Sequence, residues 1–350
     1  MWIMAVGAAV GAADKIFGNK LGLGEKFDEG FHAMGPLALG MTGIVCLTPV
    51  ICDVLGPVIS PALKAIGADP ALFGGITAND MGGYALATAL AEDPQAGLYT
   101  GLFVSAMFGG VLVFHFPVGF GIVEKEDARF YAHGLLFGII TIPVGTFLGG
   151  FLAGFGLPML IHNTMPILVL AVILAVALKY KQQTMIKICT GLGWVMTAIS
   201  YTGMAAAAFE YMTGIAIIPG MTPILEALEL VTQIGVVLLG TFPVLSVLSR
   251  TLEKPLTKIG SRAGLDSTSV SSLIFGLANP IPVYPAMKHM KKRGIIINAA
   301  WIVSASASLG DHLGFTAGVN PEYIGPVIAG KITAGALAVI IAYLATRDME

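Results

Sequence analysis

Apolar residues run along this chain in long unbroken stretches, and polar residues collect in the short gaps between them. The stretches fall at about 1–18, 34–56, 70–91, 97–122, 130–155, 163–180, 186–211, 231–250, 268–288, 295–316 and 323–346. Most have the length a helix needs to cross a bilayer, about 20 residues. Unbroken runs, rather than strict alternation, point to helices and away from a transmembrane β-barrel. Two stretches differ from the rest. Leu72 to Tyr84 carries four glycines around an Asn79-Asp80 pair, and Ser267 to Met287 contains Asn279-Pro280-Ile281-Pro282 and then Pro285. Such residues free backbone groups that hydrocarbon cannot satisfy, so both predict broken or re-entrant helices.

Composition narrows the class. Of 350 residues 56% are hydrophobic and 11% charged, against about 25% charged in a soluble domain. A soluble enzyme, a disordered chain and a coiled coil are excluded. A net charge of −2 with no basic face argues against nucleic acid as a partner. Cys46, Cys52 and Cys189 lie in or near apolar runs without C-x-x-C spacing, which reads as packing rather than a disulfide framework. Met1 to Ala13 lacks a basic leader and reads as a short, retained first helix.

The chain also repeats itself at an offset near 200. Gly67-Ala-Asp69 matches Gly264-Leu-Asp266, and Ala78-Asn79 matches Ala278-Asn279. Tyr84 falls on Tyr284, Val104-Ser-Ala106 on Val303-Ser-Ala305, and Gly138-x-Ile-Thr141 on Gly330-x-Ile-Thr333. A nearly constant offset argues for a duplication within one membrane domain of residues 1–350: repeat 1 over 1–155, a linker helix over 156–185 and repeat 2 over 186–346.

Charge decides how the repeats are oriented. If all eleven stretches cross, Arg250, Lys254, Lys258 and Arg262 lie opposite Lys288, Lys291, Lys292 and Arg293, against the tendency of cations to stay inside. If 70–91 and 268–288 instead enter and leave on one side, nine crossings remain. With the N-terminus outside and the C-terminus cytoplasmic, all of the 19 Lys and Arg then fall inside except Lys64 and Lys331. The expected fold is an all-α polytopic membrane protein of two inverted repeats with broken helices, the architecture of secondary transporters. Eleven crossings are the alternative.

Ionisable groups within apolar runs are the candidates for chemistry, because each is costly at mid-membrane. Asp80 sits at the break of the third stretch. Asp311 and His312 close the tenth, in Leu309-Gly-Asp-His-Leu-Gly-Phe315. Lys331 lies about eight residues into the last, and Glu29 precedes the second. A carboxylate facing a cavity suits an ammonium ligand, with Asn amides and unwound carbonyls taking its other protons. Each has a plainer reading. Asp80 caps a half-helix, Asp311 pairs with Lys331 in a buried salt bridge, His312 is a packing histidine, and Glu29 is an interfacial acid. Asn79 and Asn279 cap the broken backbone, and Tyr84, Tyr284 and Trp301 serve packing or the membrane interface rather than cation–π recognition. No P-loop, H-E-x-x-H or G-x-S-x-G occurs, and His and Cys give no metal spacing, so neither an enzyme nor a metal site is expected.

Phe27-Asp-Glu-Gly-Phe-His-Ala-Met-Gly35, Asp80-Met-Gly-Gly83, Glu253-Lys-Pro-Leu256, Ala278-Asn-x-Ile-Pro282, Leu309 to Phe315 and Gly330-Lys331 together resemble the ethanolamine utilisation permease family. The resemblance runs from the first helix to the last. It implies a multi-pass protein of the bacterial cytoplasmic membrane that brings in ethanolamine, with the lipid bilayer as surroundings and no cofactor. Asp80, Asp311, Asn79, Asn279, Glu29, His312, Lys331 and Tyr84 form the expected substrate site. A channel-like pore for ammonium or another small organic cation is the alternative. Glycine-rich faces serve packing within one chain as well as between copies, so a homo-oligomer stays open.

Overall fold

The computed structural model describes the backbone of every residue except Asn79, Ala263, Asp348 and Glu350; at residues 80, 81, 252–254, 256, 257 and 259–262 it describes the backbone alone. The described residues form helices and no strands. A short α1 (Trp2–Ile16) and the charged α2 (Leu23–His32) lead into α3 (Met34–Ala65), which contains Pro49, Pro57 and Pro61. Then come α4 (Leu72–Thr77), α5 (Asp80–Leu90) and α6 (Pro94–Tyr99). α6 continues as two π-helical stretches, Thr100–Gly109 and Val111–Gly119, ending in α7 (Phe120–Ile122). Four long helices follow: α8 (Ala128–Leu152), α9 (Leu157–Tyr180), α10 (Gln182–Thr213) and α11 (Ile224–Arg262). The chain ends through α12 (Ser267–Ala278), α13 (Val283–Ala286), α14 (Lys292–Ala305), α15 (Asp311–Val319) and α16 (Ile324–Ala345). Among the described residues, seven helical segments are long and apolar enough to cross a membrane.

Small residues let the central helices touch backbone to backbone, the way helices associate where lipid removes the hydrophobic drive. A Cβ on Gly145 of α8 would lie 2.6 Å from the Gly330 oxygen of α16, and one on Gly134 would lie 2.4 Å from the Ile296 oxygen of α14. α8, α14 and α16 thus form a tight central trio with Leu135, Ile139, Ile302 and Ala338 fully buried between them.

Both proline- and glycine-rich stretches are interrupted. α4 and α5 part at Ala78, whose backbone is extended, and α12 ends at the extended Asn279. Each hairpin is closed at its mouth by an aspartate. Asp69 accepts from the N–H of Ala71 at 2.8 Å, of Asp93 at 3.1 Å and of Glu92 at 3.3 Å. Asp266 accepts from Ser269 N–H at 2.7 Å and Lys291 N–H at 2.9 Å. The two ends of each segment therefore meet at one carboxylate. Ahead of each aspartate a glycine holds a left-handed backbone, Gly67 at φ +76° and Gly264 at φ +75°, a conformation that glycine takes without steric cost.

Two departures from the sequence expectation bear on the site. The stretch 97–122 is not a plain helix but is mostly π-helical. The tenth stretch is broken as well: α14 stops at Ala305, and Asp311 and His312 begin α15 rather than close a helix. The break is held by pairing with the end of α12, since Ala307 N–H donates to Gly276 O and Leu309 N–H to Leu277 O, both at 2.9 Å. Ala307 adopts φ +54°, a left-handed conformation costing a non-glycine residue about 1–2 kcal/mol, which the two hydrogen bonds offset. Gly310 makes the approach possible, because a Cβ there would lie 2.0 Å from the Ala278 oxygen. Gly109 stands against the Ala78 oxygen in the same manner, at 2.3 Å.

Candidate functional site

The breaks, the π-helical segment, α2, α3, α10 and α11 surround a cavity of about 610 Å³. Leu37, Met41, Ile44, Val113, Phe114 and Phe242 make its wall largely apolar, which leaves its few polar groups to decide what enters. Two of them are carboxylates, Glu29 from α2 and Asp311 from the start of α15. His312, Asn279, His115 and Ser306 share the wall. Residues far apart in the chain thus line one cavity, because the break after α14 starts α15 at its wall.

The predicted residues divide. Glu29, Asn279, Asp311 and His312 are together on this cavity. The Glu29 carboxylate pairs with Lys26 at 2.6 Å, one turn back along α2. Asn279 Oδ1 accepts from Ile281 N–H at 2.8 Å, so its side chain caps the turn after α12 while its position also edges the cavity. Lys331 lies behind the wall, fully buried, with its ammonium 2.8 Å from the Ala106 carbonyl and 3.0 Å from His312 Nδ1. Tyr84 is elsewhere: its hydroxyl donates to Asn320 Oδ1 at 2.8 Å and its ring meets the Phe315 ring edge-on. Trp301 Nε1 donates to Leu273 O at 2.8 Å and ties α14 to α12. Asn79 and the Asp80 side chain lie outside the described residues.

His115, outside the set expected from the sequence, belongs to the wall as well. Its Nδ1 stands 2.7 Å from the Tyr284 hydroxyl and its Nε2 3.3 Å from Ser306 Oγ. The Tyr131 hydroxyl donates to the His115 carbonyl oxygen at 2.7 Å. The imidazole therefore connects the π-helical segment to α13 and to the break after α14, and the His115 carbonyl adds α8. The signal was available, since His115 interrupts Val111-Leu-Val-Phe-His-Phe and an ionisable residue within an apolar run is a site candidate by default.

A second cavity, of about 410 Å³, adjoins the first and shares Glu29, Phe242 and Asn279 with it. Lys26, Arg250, Ser246, Ser249 and Ser271 line it. The two cavities thus share an edge at which the Glu29 carboxylate stands, with Asp311 lining the larger and Lys26 and Arg250 the smaller.

Residues 1–345 match the family described as "Ethanolamine utilisation protein, EutH". The chain is 44% identical to the "Probable ethanolamine permease EutH" of Listeria monocytogenes over 352 residues, covering 100% of this chain and 94% of that protein. It is 42% identical to "Uncharacterized protein YxeR" of Bacillus subtilis, covering 97% and 92%. It is 37% identical to the "Probable ethanolamine permease EutH" of Escherichia coli K12, covering 98% and 94%. No solved structure matches the chain.

Proposed function

Because this chain belongs to the EutH family of ethanolamine utilisation proteins, we propose that it is a carrier that moves ethanolamine across the cytoplasmic membrane by alternating access. The observation that carries the reading is the placement of Glu29 and Asp311 on one largely apolar cavity. Ethanolamine is a primary amine, charged at neutral pH like lysine, whose amine has a pKa near ~10. Its three ammonium donors suit a carboxylate and neighbouring carbonyls, and its hydroxyl both donates and accepts. Asp311 or Asp80 holds the ammonium, while Asn279, Asn79 or His312 meets the hydroxyl. Glu29 lies at the junction of the two cavities, where it receives the cation on its way to the basic side.

Two inverted repeats supply the motion. The paired Gly-x-Asp closures at Asp69 and Asp266, the left-handed glycines before them and the matched approaches of Gly109 and Gly310 support the duplication. The hairpins closed by these aspartates enter from opposite faces, leaving nine crossings with the N-terminus outside. Alternating access then follows from one repeat rocking against the other around the cavity.

Uptake of labelled ethanolamine into proteoliposomes tests the reading. Saturation and counterflow are expected, and Asp80→Asn and Asp311→Asn are each expected to abolish saturable uptake while the protein still inserts. Linear uptake without counterflow would instead identify a pore, and normal uptake by both variants would remove the acidic site.

A further inference from the structure

The side chain of Lys331 has no exposed surface, and its ammonium donates to the carbonyl oxygen of Ala106. An ammonium has three donors and no acceptor, so at 3.0 Å it also donates to His312 Nδ1. Ala106 belongs to the π-helical segment, and His312 lies in the first turn of α15 after the second break. Both line the large cavity and Lys331 does not. The charge thus sits behind the wall, where two irregular segments meet. A backbone carbonyl and a polar side chain at helix breaks are the groups with which broken-helix carriers coordinate small cations. In the register Gly138-x-Ile-Thr141 on Gly330-x-Ile-Thr333, the position matching Lys331 is Ile139, which is equally buried. An apolar side chain fills that point of the first repeat, so packing does not call for lysine.

We propose that the Lys331 ammonium is a tethered cation. It occupies from within the chain the place where a coupled carrier would hold a free small monovalent cation, and uptake by this protein therefore needs no inorganic cation. The inference rests on the carrier reading above, but its test has a binding readout of its own. Lys331→Ala leaves the carbonyl and imidazole acceptors around an ammonium-sized space, whereas Lys331→Met fills that space without charge.

Thermal unfolding of the purified protein is followed in methylammonium chloride against N-methyl-D-glucamine chloride at constant ionic strength. Lys331→Ala is expected to unfold at a lower temperature than the native protein. Methylammonium should then raise its midpoint saturably, by more than it raises that of the native protein or of Lys331→Met, as a ligand of the folded state does. In proteoliposomes, native uptake should persist when Na⁺ and K⁺ are replaced by N-methyl-D-glucamine. Lys331→Ala should lose uptake by at least about tenfold, an occupancy effect that added methylammonium reverses. A Lys331→Ala midpoint that methylammonium shifts no more than it shifts Lys331→Met overturns the proposal. So does loss of native uptake without inorganic cations, an arm that requires no variant to fold. Absence of any ethanolamine uptake would remove the carrier reading and leave the thermal titration to decide the cation.

Discussion

The Asp266 carboxylate holds both ends of its hairpin, taking Ser269 N–H in the first turn of α12 and Lys291 N–H at the far end. Burial would push its carboxyl up, but hydrogen bonds from the backbone of Lys291 and Ser269 and from the Ser269 hydroxyl outweigh this and hold it below its ordinary value of 3.8. A depressed folded value means that the carboxylate stabilises fully above the unfolded value and fades as pH falls through the folded one. Asp266→Asn keeps an Oδ1 cap but puts an amide donor where Oδ2 accepts from Lys291 N–H and the Ser269 hydroxyl, and is expected to lose about 1–2 kcal/mol of stability at neutral pH. The gap between the two thermal midpoints should close as pH drops below about 3.8. A gap that stays constant into acid would assign the loss to something other than the charge. At this scale the sequence was partly legible. Gly67-Ala-Asp69 and Gly264-Leu-Asp266 stood out as matched triplets, yet nothing local revealed that their aspartates reach 23 and 25 residues forward. Nor does a pattern reveal the set around His115, whose partners Tyr284 and Ser306 come from a distant part of the chain.

Helix breaks are legible when proline or several glycines mark them, as at Ala78 and Asn279. The break at 306–310 carries no proline, and its Ser-Ala-Ser-Ala-Ser-Leu run reads as apolar helix. Its cause is tertiary: the N–H groups of Ala307 and Leu309 donate to Gly276 and Leu277 of α12 instead of to their own preceding turn. The π-helical stretches are hidden for a different reason. Thr100–Gly109 is buried at every position, so no polar face betrays the change from i+4 to i+5 pairing. The decisive contact at the second break is Gly310 against the Ala278 oxygen. Gly310→Ala places a carbon where the carbonyl already stands, forcing α12 and α15 apart. The expected result is loss of saturable uptake with a lowered thermal midpoint. Gly325→Ala, where an added Cβ meets nothing within 4 Å, is the control and should leave both unchanged. Equal behaviour of the two variants would mean that the approach of Gly310 is not needed.

For the molecule as a whole, the pattern of apolar stretches announces a multi-pass membrane protein, and the clustering of cations is what the proposed orientation rests on. The seven helical segments of spanning length among the described residues agree with the class. The 15-residue α1 and the hairpins decide the number of crossings. If the segment between Asp266 and Lys291 enters and leaves by one face, single cysteines at Ser267 and Met290 should react with an impermeant maleimide from the same side. A cysteine at Glu92 should react from the other. Labelling of Ser267 and Met290 from opposite sides would restore eleven crossings.

The closures at Asp69 and Asp266 also set an order of assembly. Each links residues about two dozen positions apart, so either hairpin has all its parts soon after it is synthesised, and such short loops close at little entropic cost. The cavity wall is different: His115 meets Ser306 across 191 residues and Lys331 meets Ala106 across 225. The parts of either hairpin are thus present in the growing chain before all the groups that bound the chamber are. Lys331, in α16, joins last and backs that wall from behind through Ala106 and His312.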